Sequence, residues 1–169
     1  RRRPPPAALA PSLLQVMVIH AALAVQHAQR FAASAGDGGA RPLPLIFGGD
    51  FNIKPGDATY ALVTEGALAE DHPEYPRAPP HEPWRPVLEG GALRSAYFAA
   101  TGAEPDFTNH AQTKDDPPFI ETLDYLFCSE HWDVASVLPL ANRTEVSGPY
   151  PTASEPSDHV LIGAEFALP

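Results

Sequence analysis

The apolar runs of this chain are short, and each is bounded by a compact polar group. Pro42 to Phe47 reads as a short buried strand and runs straight into Gly48-Gly49-Asp50-Phe51-Asn52. Phe107-Thr108-Asn109 follows an Ala-Glu-Pro-Asp turn. Thr122 to Cys128 has the apolar, β-branched and aromatic content of a buried strand and carries Leu123-Asp124-Tyr125 near its start, with Val134 to Leu138 as its expected partner. Ser157-Asp158-His159 precedes a terminal strand, Val160 to Phe166. Short strands mixed with helices at no regular repeat imply a layered α/β or α+β fold. The ends of such strands are where a rigid scaffold presents functional groups.

The helical segments are fewer. Ser12 and Gln15 form a capping-box start, and the pattern stays helical to about Ser34, with Gln15, Gln26, Gln29 and Arg30 on one side and a broad apolar face elsewhere. His20 and His27 are one heptad apart, too far for the i, i+4 spacing of a metal pair, and read as ordinary boundary histidines. A glycine-rich turn, Gly36 to Gly39, ends this helix. Asp57 to Gly66 predicts a second short helix, with Asp57 as its cap and Gly66 as its stop. Leu93 to Ala100 suits a short helix or a strand.

Proline sets the rest. There are 21 prolines in 169 residues, more than twice the usual share, and they cluster, so long proline-bearing loops should connect the regular elements. Residues 71–91 read as a proline-interrupted surface loop, and residues 1–11, with Arg1, Arg2 and Arg3 before Pro4, as a disordered arm. What remains, 12–169, is one domain or part of a larger one.

Charge excludes some partners. The formal net charge is −10 and no basic stripe follows the three arginines, which argues against a long nucleic-acid duplex. A single strand or a small phosphate ester, held with help from a cation, remains compatible. Cys128 is the only cysteine, so the chain forms no internal disulfide and no thiolate zinc site, which points to a reducing, intracellular setting with the cytoplasm preferred. Val16 to Val25, interrupted by His20, is too short to span a bilayer, so the chain reads as soluble.

Each polar group taken singly is ordinary turn chemistry. Their order and spacing over nearly the whole chain are more specific. Leu13-Leu14-Gln15, Gly-Gly-Asp-Phe-Asn, Leu-Arg-Ser-Ala-Tyr, Glu-Pro-Asp-Phe-Thr-Asn, Thr-Leu-Asp-Tyr-Leu-Phe and Glu-Pro-Ser-Asp-His together resemble the C-terminal half of the endonuclease/exonuclease/phosphatase superfamily, in its deadenylase, Angel and nocturnin branch.

That resemblance implies two packed sheets flanked by helices, with an active site at one edge, and a Mg²⁺-dependent phosphodiesterase acting on RNA 3′ ends of the poly(A) type or on a nucleotide phosphoester. Mn²⁺ is the alternative ion. Asp50 matches the aspartate that positions or deprotonates the attacking water, Asn52 the asparagine that donates to a phosphate oxygen, and Asp124 the aspartate that helps hold the cluster and the leaving side. Asp158 and His159 match a terminal pair whose imidazole contacts phosphoryl oxygens. An aspartate rarely orients its own neighbour's ring, so another carboxylate of the cluster is also a candidate partner for His159, and the sequence leaves this open. Phe119 falls where a phenylalanine stacks on a base, or else it packs a loop beside Pro117 and Pro118; Asn109 falls near a substrate-binding position. Asp50, Asn52 and His159 would form the shell of a second metal ion, the principal metal ligand being absent from the chain.

The departures from the family pattern are Ile120 and Glu121 where a Lys or small residue and a Gly are usual, and Leu161 where a proline commonly follows the Asp-His pair. The family's N-terminal half, with the glutamate that binds the main Mg²⁺, has no counterpart in the sequence. The chain is thus expected to be incomplete as an enzyme, and a lone half-sandwich should leave one sheet face uncovered. Two other readings stand beside the leading one: an inactive fragment or pseudoenzyme acting by binding, and a phosphatase of the same fold for a small phosphorylated substrate. The latter would want basic residues near the Asp-His loop, where only Arg143 is close.

Overall fold

Ser12 starts the first helix as the sequence predicts: its hydroxyl accepts the Gln15 amide at 3.2 Å while the Gln15 side chain returns to the Ser12 amide at 3.0 Å. In this computed structural model, which describes residues 12–36, 42–77 and 84–168, helix α1 spans Leu13–Ala35 and contains His20 and His27, both exposed. The arm read over residues 1–11, most of the glycine-rich turn and residues 78–83 of the proline loop lie outside the described residues. Helix α2 is Ala58–Glu65 and α3 Ala96–Thr101. The strands are β1 (Ile46–Asp50), β2 (Arg94–Ser95), β3 (Asn109–Ala111), β4 (Phe119–Glu121), β5 (Asp124–Cys128), β6 (Asp133–Val137) and β7 (Ala164–Ala167).

The fold is mixed α/β, as expected, and among the described residues the strand pairs are all antiparallel, in three small ladders: β1-β5-β2, β3-β4 and β6-β7. Two expectations need correction. The segment from Val134 does not partner β5, because β1 and β2 already occupy both sides of that strand; it pairs with β7 instead, across a bulge between Val134 and Ser136. The strand expected at Pro42 to Phe47 begins later, at Ile46, takes in both glycines and ends on Asp50. It is mostly exposed rather than buried, because it is the outer strand of its sheet.

The core lies where α1 and α2 cover the sheet. Val18, Ala22 and Val25 of α1 meet Leu62 and Val63 of α2 and Tyr125 and Phe127 of β5, all buried. Tyr125 and Phe127, two residues apart on one face of the strand, stack at 5.0 Å, and Phe51 meets Phe127 edge-on at 5.2 Å. Each such ring contributes about 1.5–3 kcal/mol by burial. On the other face of β5, a Cβ at Gly48 would sit 2.8 Å from Leu126 Cδ2, so the tip of that leucine would have to shift to admit one. Leu13, Leu23 and Phe31 of α1 remain exposed, so its broad apolar face is only partly covered.

The polar side of α1 has a different task from facing solvent. Gln15 donates to the Tyr75 carbonyl, Gln26 to the Val87 carbonyl at 2.6 Å, and Gln29 both donates to the Gly91 carbonyl and accepts the Gly90 amide. These side chains tie the proline-rich segment to the helix, and Pro86 and Leu88 of that segment are buried. Asp57 precedes α2 and Gly66, left-handed at φ 84°, stops it. The Asp57 carboxylate, however, accepts the Lys54 amide at 2.8 Å and makes no helix cap bond.

Candidate active site

The register of β1 against β5 places Asp50 directly opposite Asp124, so two carboxylates leave the same end of the same sheet. Left alone, like charges so close would repel. The His159 imidazole lies between them: its Nδ1 is 2.8 Å from Asp124 Oδ2 and its Nε2 3.9 Å from Asp50 Oδ2. Asp124 is therefore the carboxylate that orients the ring, settling the choice the sequence left open. Asp158 contributes its charge and its backbone: its carbonyl accepts the His110 amide at 2.8 Å.

Several bonds fix this arrangement. The chain around His159 is zipped onto β3, with a bridge between Asn109 and His159 and the Val160 amide on the Thr108 carbonyl at 2.8 Å. The turn after β1 is closed by Asp50 itself, whose Oδ1 accepts the Asn52 amide at 2.9 Å and whose Oδ2 accepts the Asn52 side chain at 3.3 Å. Asn52 is left-handed at φ 51°, a conformation asparagine tolerates better than most side chains. The buried Tyr125 hydroxyl, shared between the Ile53 and Thr122 carbonyls at 3.0 and 3.1 Å, holds this turn to the start of β5.

The sequence shows Thr108 only as a member of the Phe107-Thr108-Asn109 group, where Asn109 alone was given a role. Thr108 is fully buried, donates to Asp124 Oδ2 at 2.7 Å and accepts the amides of Leu123 and Asp124, both at 2.9 Å. Its only sequence signal was its place in Phe-Thr-Asn, among residues that pack and residues that bind.

Burial alone would lower the affinity of His159 for a proton. The hydrogen bond to Asp124 and the charges of Asp124, Asp50 and Asp158 outweigh it, and the pKa rises above the ordinary histidine value. Asp50 and Asn52 offer oxygen atoms at an exposed turn. Among the described residues no three His, Cys, Asp or Glu side chains converge as a metal cluster. A hard cation such as Mg²⁺ is commonly held by one or two carboxylates, with waters and substrate phosphates completing its shell, and the exposed Asp50 carboxylate fits that partial role.

The two substrate-binding candidates are placed differently. Asn109 is buried in β3, opposite Glu121. Phe119, the first residue of β4, is 45% exposed. Glu121, the charge that departs from the family pattern, is paired with Lys54 at 3.9 Å. Arg143 is committed to Asp106 through its amide, Nε and guanidinium, and this holds the Asp106 carboxyl below its usual pKa. Beside it opens a cleft of about 590 Å³ that also involves Lys54, Glu104 and Glu121.

This chain belongs to the endonuclease/exonuclease/phosphatase family, whose profile it matches over residues 12–159. It is 31% identical over 152 residues to 2′,5′-phosphodiesterase 12 of Bos taurus, covering 87% of this chain and 22% of that protein. It is 35% identical to carbon catabolite repressor protein 4 homolog 4 of Arabidopsis thaliana, covering 73% and 27%, and 34% identical to the CCR4-Not complex 3′-5′-exoribonuclease subunit Ccr4 of Aspergillus oryzae, covering 75% and 16%. The chain thus spans about a quarter or less of the length of these relatives. Its fold superposes on the crystal structure of ANGEL2, a 2′,3′-cyclic phosphatase, with a TM-score of 0.66 at 20% identity, over 92% of this chain and 53% of the other.

Among the described residues no helix is long and apolar enough to cross a membrane.

Proposed function

We propose that this chain is the C-terminal portion of a two-sheet, helix-flanked phosphodiesterase that hydrolyses, with Mg²⁺ or Mn²⁺, a single-stranded RNA 3′ end of the poly(A) type or a nucleotide phosphoester. The observation that carries the reading is the His159 imidazole held between Asp124 and Asp50 at the sheet end. The relatives' names, a 2′,5′-phosphodiesterase and a 3′-5′-exoribonuclease, point to the same bond type.

Hydrolysis of a phosphodiester requires an oriented water, neutralised phosphoryl oxygens and help for the leaving oxygen. Asp50, exposed and anchored by Asn52, accepts the proton of the attacking water. Asn52 donates its amide to a phosphoryl oxygen in place of its 3.3 Å bond to Asp50. His159, with Nδ1 spent on Asp124, presents Nε2 to the phosphoryl group, and its raised pKa favours the protonated, donating form. Asp50 and Asn52 would contribute to the metal shell, and a bound divalent ion supplies charge neutralisation on the phosphoryl oxygens. The principal metal-binding glutamate would come from an N-terminal half. Phe119 supplies a stacking face for a base, which suits a sequence-tolerant single strand.

The phosphatase reading is weaker, because Arg143, the cation it would call on, is already bound to Asp106. The deciding experiment is Mg²⁺-dependent hydrolysis of a labelled oligoadenylate and of a 2′-phosphorylated nicotinamide dinucleotide by this chain alone and joined to an N-terminal half. Activity only in the joined protein, lost in Asp50→Ala and His159→Ala, is the expected result. No activity in either form would favour a binding module, and activity in the chain alone would place the main metal ligand within it.

A further inference from the structure

We propose that Thr108 is the positioning residue of this site: its hydroxyl donates to Asp124 Oδ2, and this holds that oxygen as the acceptor for His159 Nδ1 and so sets the tautomer of the ring. A hydroxyl has one proton and two acceptor lone pairs. The amides of Leu123 and Asp124, each 2.9 Å from Thr108 Oγ1, can only donate, so they take both lone pairs. The single proton is left for the one remaining neighbour, Asp124 Oδ2, at 2.7 Å. Thr108 is fully buried, so water does not compete for it.

The consequence runs outward. Asp124 Oδ2 must act as an acceptor toward Thr108, and the same oxygen faces His159 Nδ1 at 2.8 Å. With Oδ2 held as an acceptor by Thr108, the matching arrangement is the one in which Nδ1 donates to it as well. His159 is then locked with a proton on Nδ1, and Nε2 is the atom directed toward Asp50 and the open side of the site. The backbone of the same residue reinforces the lock, because the Thr108 carbonyl accepts the Val160 amide and holds the chain just past His159. One side chain therefore links the start of β5, the carboxylate and the histidine loop.

The catalytic part of this inference rests on the proposed phosphodiesterase reading; the hydrogen-bond assignment does not. It is read on this chain by nitrogen-edited long-range NMR of His159 at a pH where the ring is neutral. The wild type should show the Nδ1–H tautomer with a strongly hydrogen-bonded Nδ1 proton. Thr108→Ser should keep that signature, and Thr108→Val, equal in shape but without the hydroxyl, should lose it and show mixed tautomers. A Thr108→Val protein that folds and retains the wild-type signature overturns the proposal, as does loss of the signature in a folded Thr108→Ser protein. If Thr108→Val does not fold, the wild type carries the test: the Thr108 hydroxyl proton must exchange slowly and give a through-space cross-peak to the His159 Nδ1 proton, and its absence overturns the assignment. In a catalytically complete protein, Thr108→Val should lower kcat about 10- to 100-fold with little change in KM, and Thr108→Ser should restore most of it.

Discussion

His159 Nδ1 lies 2.8 Å from Asp124 Oδ2, while the aspartate beside it in sequence, Asp158, acts on the ring through its charge and bonds the His110 amide through its backbone carbonyl. The two carboxylates should therefore separate cleanly on substitution. Asp124→Asn removes the acceptor that sets the ring, and kcat for phosphodiester hydrolysis by the complete protein should fall about 100-fold or more. Asp158→Asn removes only a neighbouring charge and should cost less than about tenfold, in line with the modest worth of exposed charge interactions. Parallel kinetics of the two variants check this; an equal loss would sink the assignment.

The same geometry predicts a pH dependence of stability. The His159 pKa is raised in the folded protein, against the effect of burial, by the Asp124 hydrogen bond and the charges of Asp124, Asp50 and Asp158. The folded state therefore binds the proton more tightly than the unfolded chain. The stabilisation is fully present below the unfolded value of about 6.5 and is lost as pH rises through the higher folded value. Urea unfolding from about pH 6 to pH 9 should show the gap between wild type and His159→Gln narrowing as pH rises. A gap that widens with pH would contradict the sign.

How much of this was legible in the sequence depended on whether the signal was local. The Ser12–Gln15 capping box, the Gly66 stop and the polar strand ends at Asp50 and Asp124 act within a few residues and stand where expected, whereas β1 and β7 begin four residues later than their apolar runs suggested. The pairing of β6 was misjudged because no local pattern tells which side of β5 is free; that follows from β1 and β2, far away in sequence. The exposure of β1 was hidden for a similar reason, since an apolar run reads as buried whether or not a neighbouring strand is present to cover it. Among the site residues, Asp50 and Asn52 formed a unit visible in Gly-Asp-Phe-Asn. The partner of His159 lies 35 residues away, and nothing local to Phe-Thr-Asn shows that Thr108 meets Asp124, 16 residues on.

Gly148 has a steric reason to be glycine. A Cβ there would overlap the ring of His110, which is buried between Phe107 and Tyr150 at centroid distances of 6.0 and 5.2 Å. The ring cannot yield easily, because the His110 backbone also holds the Asp158 carbonyl and the Tyr150 amide. Gly148→Ala should destabilise by about 1–3 kcal/mol through overpacking and should disturb the His159 loop. Gly163→Ala is the control, since its Cβ would meet Leu138 at an ordinary 3.5 Å. Thermal melts of the two variants should show a clear loss for the first and little change for the second.

The glutamines of α1 should matter more than the ion pair on the same helix. Gln26 is buried, and its 2.6 Å bond is the partner given to the Val87 carbonyl on a segment with little regular structure of its own. Gln26→Leu would remove the donor from that carbonyl, at a cost of about 1–3 kcal/mol. The loss should be concentrated locally, so hydrogen exchange across residues 84–91 should accelerate before the strands of the sheet respond. Arg30, by contrast, pairs with Glu89 at 3.2 Å with both side chains about two-thirds exposed, and Arg30→Ala should change stability by less than about 0.5 kcal/mol. If Arg30→Ala proved the more damaging of the two, the segment would be held to α1 by charge rather than by buried amide hydrogen bonds. The high-salt sensitivity of hydrogen exchange in the same segment would then reveal it, because screening weakens the exposed pair and leaves the Gln26 bond nearly untouched.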